Sequence, residues 1–199
     1  MKTAISRLAR AISVAALLAG AAAASAQWEL DGASSAVNFV SIKNDSVAET
    51  HHFASLQGKL DKDGSAQLTI SLDSVQTLIP IRNERMREML FKTATFPTAT
   101  ATAAVAPELI ATLAAGTSVV TELTFTLALH GVEKPFTVPV VLTTEKSGDI
   151  QVFTPAPVIV NAADFGLQEG VAALQSVAGL KAISTAVPVT VHLVFRPSK

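Results

Sequence analysis

The chain of 199 residues contains no cysteine. Disulfide bonds, thiolate metal sites and a cysteine nucleophile are therefore all excluded, and stability must come from packing. Aromatic residues are also scarce, at 5% of the chain, with no tyrosine and one tryptophan. Outer-membrane barrels carry aromatic girdles at both membrane interfaces. The composition therefore favours a soluble exported domain over a membrane barrel, although the apolar content is high.

The motifs of common enzyme classes are missing as well. The sequence has no Gly-x-Ser-x-Gly nucleophile elbow, no His-Glu-x-x-His zinc motif and no Gly-rich phosphate loop. The one local cluster of ligand-type side chains is Glu49-Thr-His51-His52. In a strand, Glu49 and His51 share a face, but zinc needs about three or four ligands. A metal-dependent enzyme using Glu49 and His51 is thus the weakest alternative, and we predict no enzyme, no metal site and no cofactor.

Residues 1–26 have the composition of a secretory signal peptide. Three basic residues and no acid precede a run of small and apolar residues, 11–23, and residues 24–26 supply the small-x-small cleavage pattern. The run is shorter than the about 20 residues of a membrane-spanning helix. We predict cleavage after Ala26, a single domain over 27–199, a periplasmic location and no transmembrane segment in the mature protein.

Loss of the signal would leave twelve Lys and Arg against sixteen Asp and Glu, a formal net charge of −4. Nucleic-acid binding depends on clustered positive charge. We therefore predict no nucleic-acid partner.

Alternation of apolar and polar residues dominates from Trp28 onward. Large apolar side chains stand at every second position of 123–129, for example, and turn signals such as Asp63-Gly64 separate such runs. The pattern predicts eight strands, at 36–42, 52–60, 67–75, 98–105, 119–130, 135–144, 149–160 and 186–195. Many short strands joined by hairpins are typical of an antiparallel sandwich or barrel.

One stretch, "TLIPIRNERMREMLF" at 77–91, has a helical pattern instead. Its apolar edge is Met86, Met89, Leu90 and Phe91, which predicts a short amphipathic helix over 82–92 lying against the sheet. A second stretch, 165–182, is predicted to be a loop with one helical turn near 171–175.

The fourth predicted strand alternates Ala99, Ala101 and Ala103 with threonines. If the alanines face inward, their small volume leaves room for a ligand. Large side chains opposite, such as Phe125 or Phe136, could equally fill that space, because small barrels pack solid by alternating small and large residues. The pattern alone leaves both arrangements open.

Five blocks, in order, resemble the YceI-like family. They are "WELDGASSAVNF" (28–39), "LDSVQTLIPIRNERMREMLF" (72–91), "FPTATATA" (96–103), "HGVEKPFTV" (130–138) and "NAADFGL" (161–167). The resemblance implies an all-β fold, an eight-stranded antiparallel lipocalin-like barrel with one short helix between strands. It also implies a periplasmic protein whose apolar tunnel holds a polyisoprenoid or similar amphiphilic lipid, with no established catalytic residues. This sequence departs from the family pattern at Asn83, where Asp is usual.

On that basis we predict a protein that binds a long-chain amphiphilic lipid for sequestration or transport. The predicted cavity-lining residues are Phe39, Met86, Met89, Leu90, Ala99, Ala101, Phe125, Leu127, Phe136, Val138 and Val191. Arg82 and Arg85 are predicted to contact the lipid head group, unless Arg82 pairs with an acid instead. The alternative is a filled barrel that acts through loops and protein partners, and a homodimer is allowed.

Overall fold

The fold is an eight-stranded antiparallel barrel, seen in a computed structural model that describes residues 27–113 and 116–198. The strands are β1 (Trp28–Leu30), β2 (Ala36–Lys43), β3 (Val47–Phe53), β4 (Leu56–Leu60), β5 (Ser65–Ser71), β6 (Val75–Gln76), β7 (Thr98–Ala104), β8 (Ser118–Leu129), β9 (Val132–Thr144), β10 (Ile150–Phe153), β11 (Val158–Asn161) and β12 (Ala186–Pro197). The predicted signal peptide, 1–26, lies outside the described residues.

These twelve strands form the eight long strands of the barrel, because four of the long strands are each interrupted once. β1 and β2 both pair with β12, and β10 and β11 pair with its other edge. β3 pairs with β2 and β4 pairs with β1, so β3 and β4 together form the next long strand. β6 pairs with β3 and β5 pairs with β4, so β5 and β6 form the long strand after that. β7, β8 and β9 complete the series, and the pairing of β1 with β12 closes the barrel. The predicted fold class is confirmed.

Local sequence explains most of these elements. Most inward positions carry apolar side chains, and the cross-strand pairs keep them in register, as between Phe125 and Phe136. The tight turn before β5 needs Gly64, which has a φ of +88°; a β-carbon there would lie 2.0 Å from the Val105 carbonyl oxygen. The predicted strand 52–60 begins earlier than expected, at Val47, because β3 extends the hairpin with β2.

The predicted helix begins at Pro80 and has two parts with different helical geometry. Pro80–Arg85 forms an α-helix, α1, and Met86–Phe91 continues it as a π-helical segment. The described residues also form two further α-helices, α2 (Pro107–Leu113) and α3 (Gln168–Val177), and two short 3-10 helices, Leu72–Ser74 and Ala162–Phe165. The predicted turn within 165–182 is therefore in fact a ten-residue helix. No helix among residues 27–113 and 116–198 is long and apolar enough to cross a membrane.

The helices lie at opposite ends of the barrel. The antiparallel order places α1, the π-helical segment and α3 at the end that also holds the turn between β2 and β3, which we call the covered end. α2 connects β7 to β8 at the other end. Helix packing therefore closes one end of the barrel mainly through the π-helical segment and α3.

Candidate functional site

An apolar cavity of about 300 Å³ runs through the barrel interior. All eight long strands contribute to its wall, and none of its lining side chains is charged. Inward-facing residues such as Leu123, Leu127 and Val191 are only half-buried, because they face this space instead of a neighbouring side chain. The volume lies at the lower end of the about 300–1,000 Å³ usual for small-molecule pockets. The interior is suited to an apolar chain.

Small side chains on one wall create part of this space. Ala66 of β5 and Ala99, Ala101 and Ala103 of β7 all line the cavity, and Ala66 stands directly opposite Ala103. Truncated side chains on two adjacent strands remove volume that leucine or valine would fill. The sequence left open whether the alanines adjoin a cavity or a space filled by large side chains; in the structure they face the cavity.

Aromatic rings form the wall near the covered end. Phe39 contacts Phe53 with ring centroids 5.3 Å apart, and Phe53 contacts Phe91 of the π-helical segment at 6.0 Å. All three rings line the cavity. This cluster connects β2 and β3 to the helix and therefore positions the helix over the barrel.

Nine of the eleven predicted lining residues line the cavity. They are Phe39, Met86, Leu90, Ala99, Ala101, Phe125, Leu127, Val138 and Val191. The other two, Met89 and Phe136, do not line it. Phe136 faces inward but is covered by Phe165, whose ring stacks on it at a centroid distance of 6.4 Å.

The position of Met89 follows from the π-helical geometry. An α-helix would place residues at i, i+3 and i+4 on one face, which is why Met86, Met89 and Leu90 were grouped. A π-helix forms i→i+5 hydrogen bonds and turns more slowly. Its inner face therefore carries Met86, Leu90 and Phe91, and Met89 is displaced from that face.

A polar cluster lies on the inward side of β2 and β3, next to the aromatic wall. Glu49 accepts hydrogen bonds from the Lys43 ammonium at 2.6 Å and from Arg82 Nη1 at 2.8 Å. The Lys43 hydrogen bond is the largest cause that lowers the pKa of Glu49, and Arg82 adds to it. Arg82 also donates to the Thr77 carbonyl oxygen at 2.6 Å. The acid-pairing alternative for Arg82 is therefore the arrangement in the structure.

His51 belongs to the same cluster. It is buried, its Nε2 lies 2.8 Å from Ser41 Oγ, and its ring is 5.2 Å from that of Phe39. Burial, followed by the nearby Arg82 charge, lowers the pKa of His51, so the ring is neutral at pH 7. Two buried nitrogens here, His51 Nδ1 and Arg82 Nε, have no hydrogen-bond partner among the described residues.

The cluster does not have the composition of a metal site. No group of three or more His, Cys, Asp or Glu residues within 27–113 and 116–198 could hold a metal ion. Glu49 is already shared between two cations, and His51 Nε2 is bonded to Ser41. The predicted metal alternative thus lacks the extra ligands that it required in the described part of the chain.

Asn83 holds the connection into the covering helix. Its Oδ1 accepts from the Thr77 main-chain N–H at 2.9 Å and from Thr77 Oγ1 at 2.6 Å, while its Nδ2 donates to Gln76 Oε1 at 3.2 Å. Both Asn83 and Thr77 are buried. Arg85, by contrast, is half-buried and makes no side-chain hydrogen bond or ion pair with the described residues.

Some lining residues are not among those predicted from the sequence. Val158 and Val160 of β11, and Ala162, Leu167 and Val171 beyond it, line the cavity near α3. Val158 and Val160 alternate along a predicted strand, so the period of two was a usable signal for them. The other three lie in a segment without that period, and only packing against the barrel brings them to the cavity.

Comparison with known proteins identifies relatives over most of the chain. The YceI-like domain family matches residues 28–195. A polyisoprenoid binding domain from Saccharophagus degradans, implicated in plant cell wall breakdown, is 38% identical, with a TM-score of 0.84 over 87% of this chain and 100% of that one. BcnA of Burkholderia cenocepacia is 25% identical, with a TM-score of 0.63 over 83% of this chain and 98% of that one. No curated protein matches the chain.

A more distant structure shares the fold alone. The YceI protein of Campylobacter jejuni is 16% identical, with a TM-score of 0.51 over 75% of this chain and 84% of that one.

Proposed function

The chain belongs to the YceI-like domain family, and from that premise we propose that it binds the apolar chain of a polyisoprenoid or a similar long-chain lipid inside its barrel. The observation that carries the proposal is the cavity, because its wall contains no charged side chain and is formed mostly by aliphatic and aromatic groups from all eight long strands. The similar domain from Saccharophagus degradans is described as polyisoprenoid binding, which supports the same class of ligand here.

The energetics suit a ligand that is mostly hydrocarbon. Transfer of one methylene from water to an apolar site is worth about 0.8 kcal/mol. A chain of several isoprene units therefore binds without many polar contacts. The cavity wall has few polar side chains, which agrees with such a ligand. A charged group inside the cavity would lose its hydration without a partner, so we propose that the lipid head group stays outside the apolar part.

We place the head group at the covered end. The polar cluster there adjoins Phe39, whose ring lines the cavity. Arg82 Nε and His51 Nδ1 are buried without partners among the described residues, and the Arg85 side chain likewise makes no hydrogen bond or ion pair within that part of the chain. A phosphate, carboxylate or carbonyl oxygen would accept a hydrogen bond from such a guanidinium group. The proposal thus keeps Arg82 and Arg85 as head-group residues, with Arg82 held in place by Glu49.

The biological role follows from the cellular location that we predict for the chain. We propose that residues 1–26 direct export and are removed, and that the mature protein sequesters or carries lipid in the periplasm. The alternatives receive less support. A protein acting through a filled barrel needs an interior closed by side chains, whereas a cavity of about 300 Å³ is present.

The test is native mass spectrometry of the protein purified after export, followed by extraction and identification of bound lipid. We expect one long-chain lipid per protein molecule. In Ala101→Phe the added ring enters the cavity, because Ala101 lines it, and lipid should be lost while the fold is kept. Thr124→Phe places the same ring on an exposed position of β8 and should retain lipid.

Two results would contradict the proposal. One is a lipid-free protein that also fails to take up added polyprenyl lipid. The other is equal lipid content in Ala101→Phe, Thr124→Phe and the unmodified protein, since the ligand would then lie elsewhere.

A further inference from the structure

The end of the turn after β6 and the first two residues of α1 present a row of aliphatic side chains to solvent. Leu78 is 88% exposed, Ile79 43% and Ile81 51%, with Pro80 between them. We call residues 78–81 the aliphatic turn. Other large hydrophobic side chains exposed within the described ranges are separated from one another in sequence. Single exposed aliphatic residues are ordinary, but a contiguous patch marks a contact surface.

The aliphatic turn also contradicts local structural preferences. Leu78 has a φ of +63°, in the left-handed region that favours glycine. Ile79 occupies the N-cap of α1, where Ser, Thr, Asp or Asn would satisfy a free N–H, and it makes no side-chain cap hydrogen bond. Neither side chain gains burial in return. Residues that break local rules without a structural gain are expected at functional sites.

A buried network holds this turn in its exposed position. Asn83 accepts two hydrogen bonds from Thr77, immediately before Leu78, and Arg82 donates to the Thr77 carbonyl oxygen. The turn leads directly into the helix whose residues Met86, Leu90 and Phe91 line the cavity. Leu78 is therefore presented rigidly, next to the element that covers the lipid site.

We propose that the aliphatic turn inserts into the surface of a lipid bilayer, so that lipid passes between the bilayer and the cavity through the covered end. This inference rests on the proposed lipid-binding function. Segments that bind at a membrane interface combine exposed apolar side chains with nearby basic side chains. Here Arg82 and Arg85 follow the turn within about one helical turn, as expected for contact with lipid phosphates.

Charge around the turn agrees with this partner. Lys43 and Arg82 share the single carboxylate of Glu49, which leaves an excess of positive charge, and Arg85 adds another cation. Glu84 and Glu88 are exposed on the same helix and cancel this excess of two, and Arg87 of the same helix restores one positive charge. The aliphatic side chains therefore supply most of the binding, with a smaller contribution from anionic lipids. A protein partner is less suitable, since a stable interface needs about 20–30 residues on each side and the aliphatic turn has only four.

The test is cosedimentation with two kinds of vesicle, one of phosphatidylcholine and one of equal parts phosphatidylcholine and phosphatidylglycerol. The variant is Leu78→Gly combined with Ile79→Ser, which suits the positive φ and supplies an N-cap, so its melting temperature should be unchanged or higher. We expect vesicle affinity to fall about 100-fold, about tenfold for each aliphatic side chain. Val120→Thr removes an exposed valine from β8 and should leave affinity unchanged.

The same variants separate this inference from the proposed function. Uptake of a fluorescent polyprenyl lipid added from ethanol should be normal in Leu78→Gly/Ile79→Ser, whereas its transfer from vesicles should be lost. Ile81→Gln provides a second variant at an exposed helical position, with an expected loss of about tenfold in affinity.

Three results would overturn the membrane inference. They are unchanged vesicle binding by the variants, no binding by the unmodified protein to either vesicle, and normal lipid transfer from vesicles by the double variant. Absence of vesicle binding would leave the turn to a protein partner. Failure of the ethanol uptake in every form would contradict the lipid-binding function itself.

Discussion

Gly170 of α3 lies against Met89 so closely that a β-carbon on residue 170 would be 2.7 Å from the Met89 carbonyl oxygen. The same β-carbon would be 2.8 Å from the Cα of Leu90. Both neighbours are main-chain atoms, which cannot move aside as a side chain can. The covered end is thus closed by a contact that only glycine permits.

We expect Gly170→Ala to destabilise the protein by about 1–3 kcal/mol, the usual cost of overpacking. Alanine otherwise stabilises a helix by about 0.5–1 kcal/mol relative to glycine, so a net loss identifies the clash. Lipid exchange should also become faster, because α3 and the π-helical segment must separate. Urea denaturation and exchange of a fluorescent lipid measure the two effects. Ser176→Ala, at an exposed position of α3, is the control, and a stabilised Gly170→Ala protein would refute the prediction.

Asn83 should contribute to stability through Thr77. In Asn83→Ala the buried Thr77 N–H and hydroxyl lose their shared acceptor, which costs about 1–3 kcal/mol. Asn83→Asp keeps both acceptor bonds and loses only the donation to Gln76, so its effect should be smaller. Chemical denaturation of the two variants compares them directly. Equal losses would show that the Thr77 bonds are not the reason for the effect.

Glu49 should make stability depend on pH under acidic conditions. Its pKa is lowered in the folded protein, so its ionised form contributes stability above its ordinary pKa of 4.5. That contribution is lost as the pH falls through the lowered folded value. Because the side chain is partly exposed, Glu49→Gln should cost about 1 kcal/mol or less at pH 7. As the pH falls below 4.5, the melting temperature of Glu49→Gln should approach that of the unmodified protein. Glu84→Gln, at an exposed position of α1, is the control; a constant difference at all pH values would exclude the ionic contribution.

His51 should act in a different pH range. Its pKa is lowered from 6.5 in the folded protein, so the unfolded chain binds a proton first as the pH falls. Stability is therefore complete above pH 6.5 and decreases below it, until the folded value is reached. His51→Gln should abolish this decrease, whereas His52→Gln, at an exposed neighbour, should retain it. Denaturation midpoints across this range test the prediction, and a decrease that survives in His51→Gln would assign it to another group.

Much of the fold could be predicted because strand alternation is a local property. The pattern of Leu123, Phe125 and Leu127 determines which side of β8 faces inward, whatever the neighbouring strands are. The same reasoning placed Ala99 and Ala101 on the inner face. It also grouped Val158 and Val160 within a strand, although not with the cavity.

Other features of the site depended on distant parts of the chain. Arg82 and Glu49 are 33 residues apart, and nothing in the sequence selected Glu49 over other acids. Leu90 lines the cavity and Met89 does not because the segment is π-helical, which the α-helical period does not predict. α3 was underestimated because its packing against the π-helical segment, not a strong amphipathic pattern, stabilises it.

The sequence by itself determined the class of fold and the inner face of its strands, since alternation and turn residues act over a few positions. Only the tertiary structure decided that the interior holds a cavity, because that depends on the summed volumes of side chains from all eight strands across the barrel. It also decided that Leu78 and its neighbours stand exposed beside the covered end, since burial is a property of the assembled surface and not of the residue.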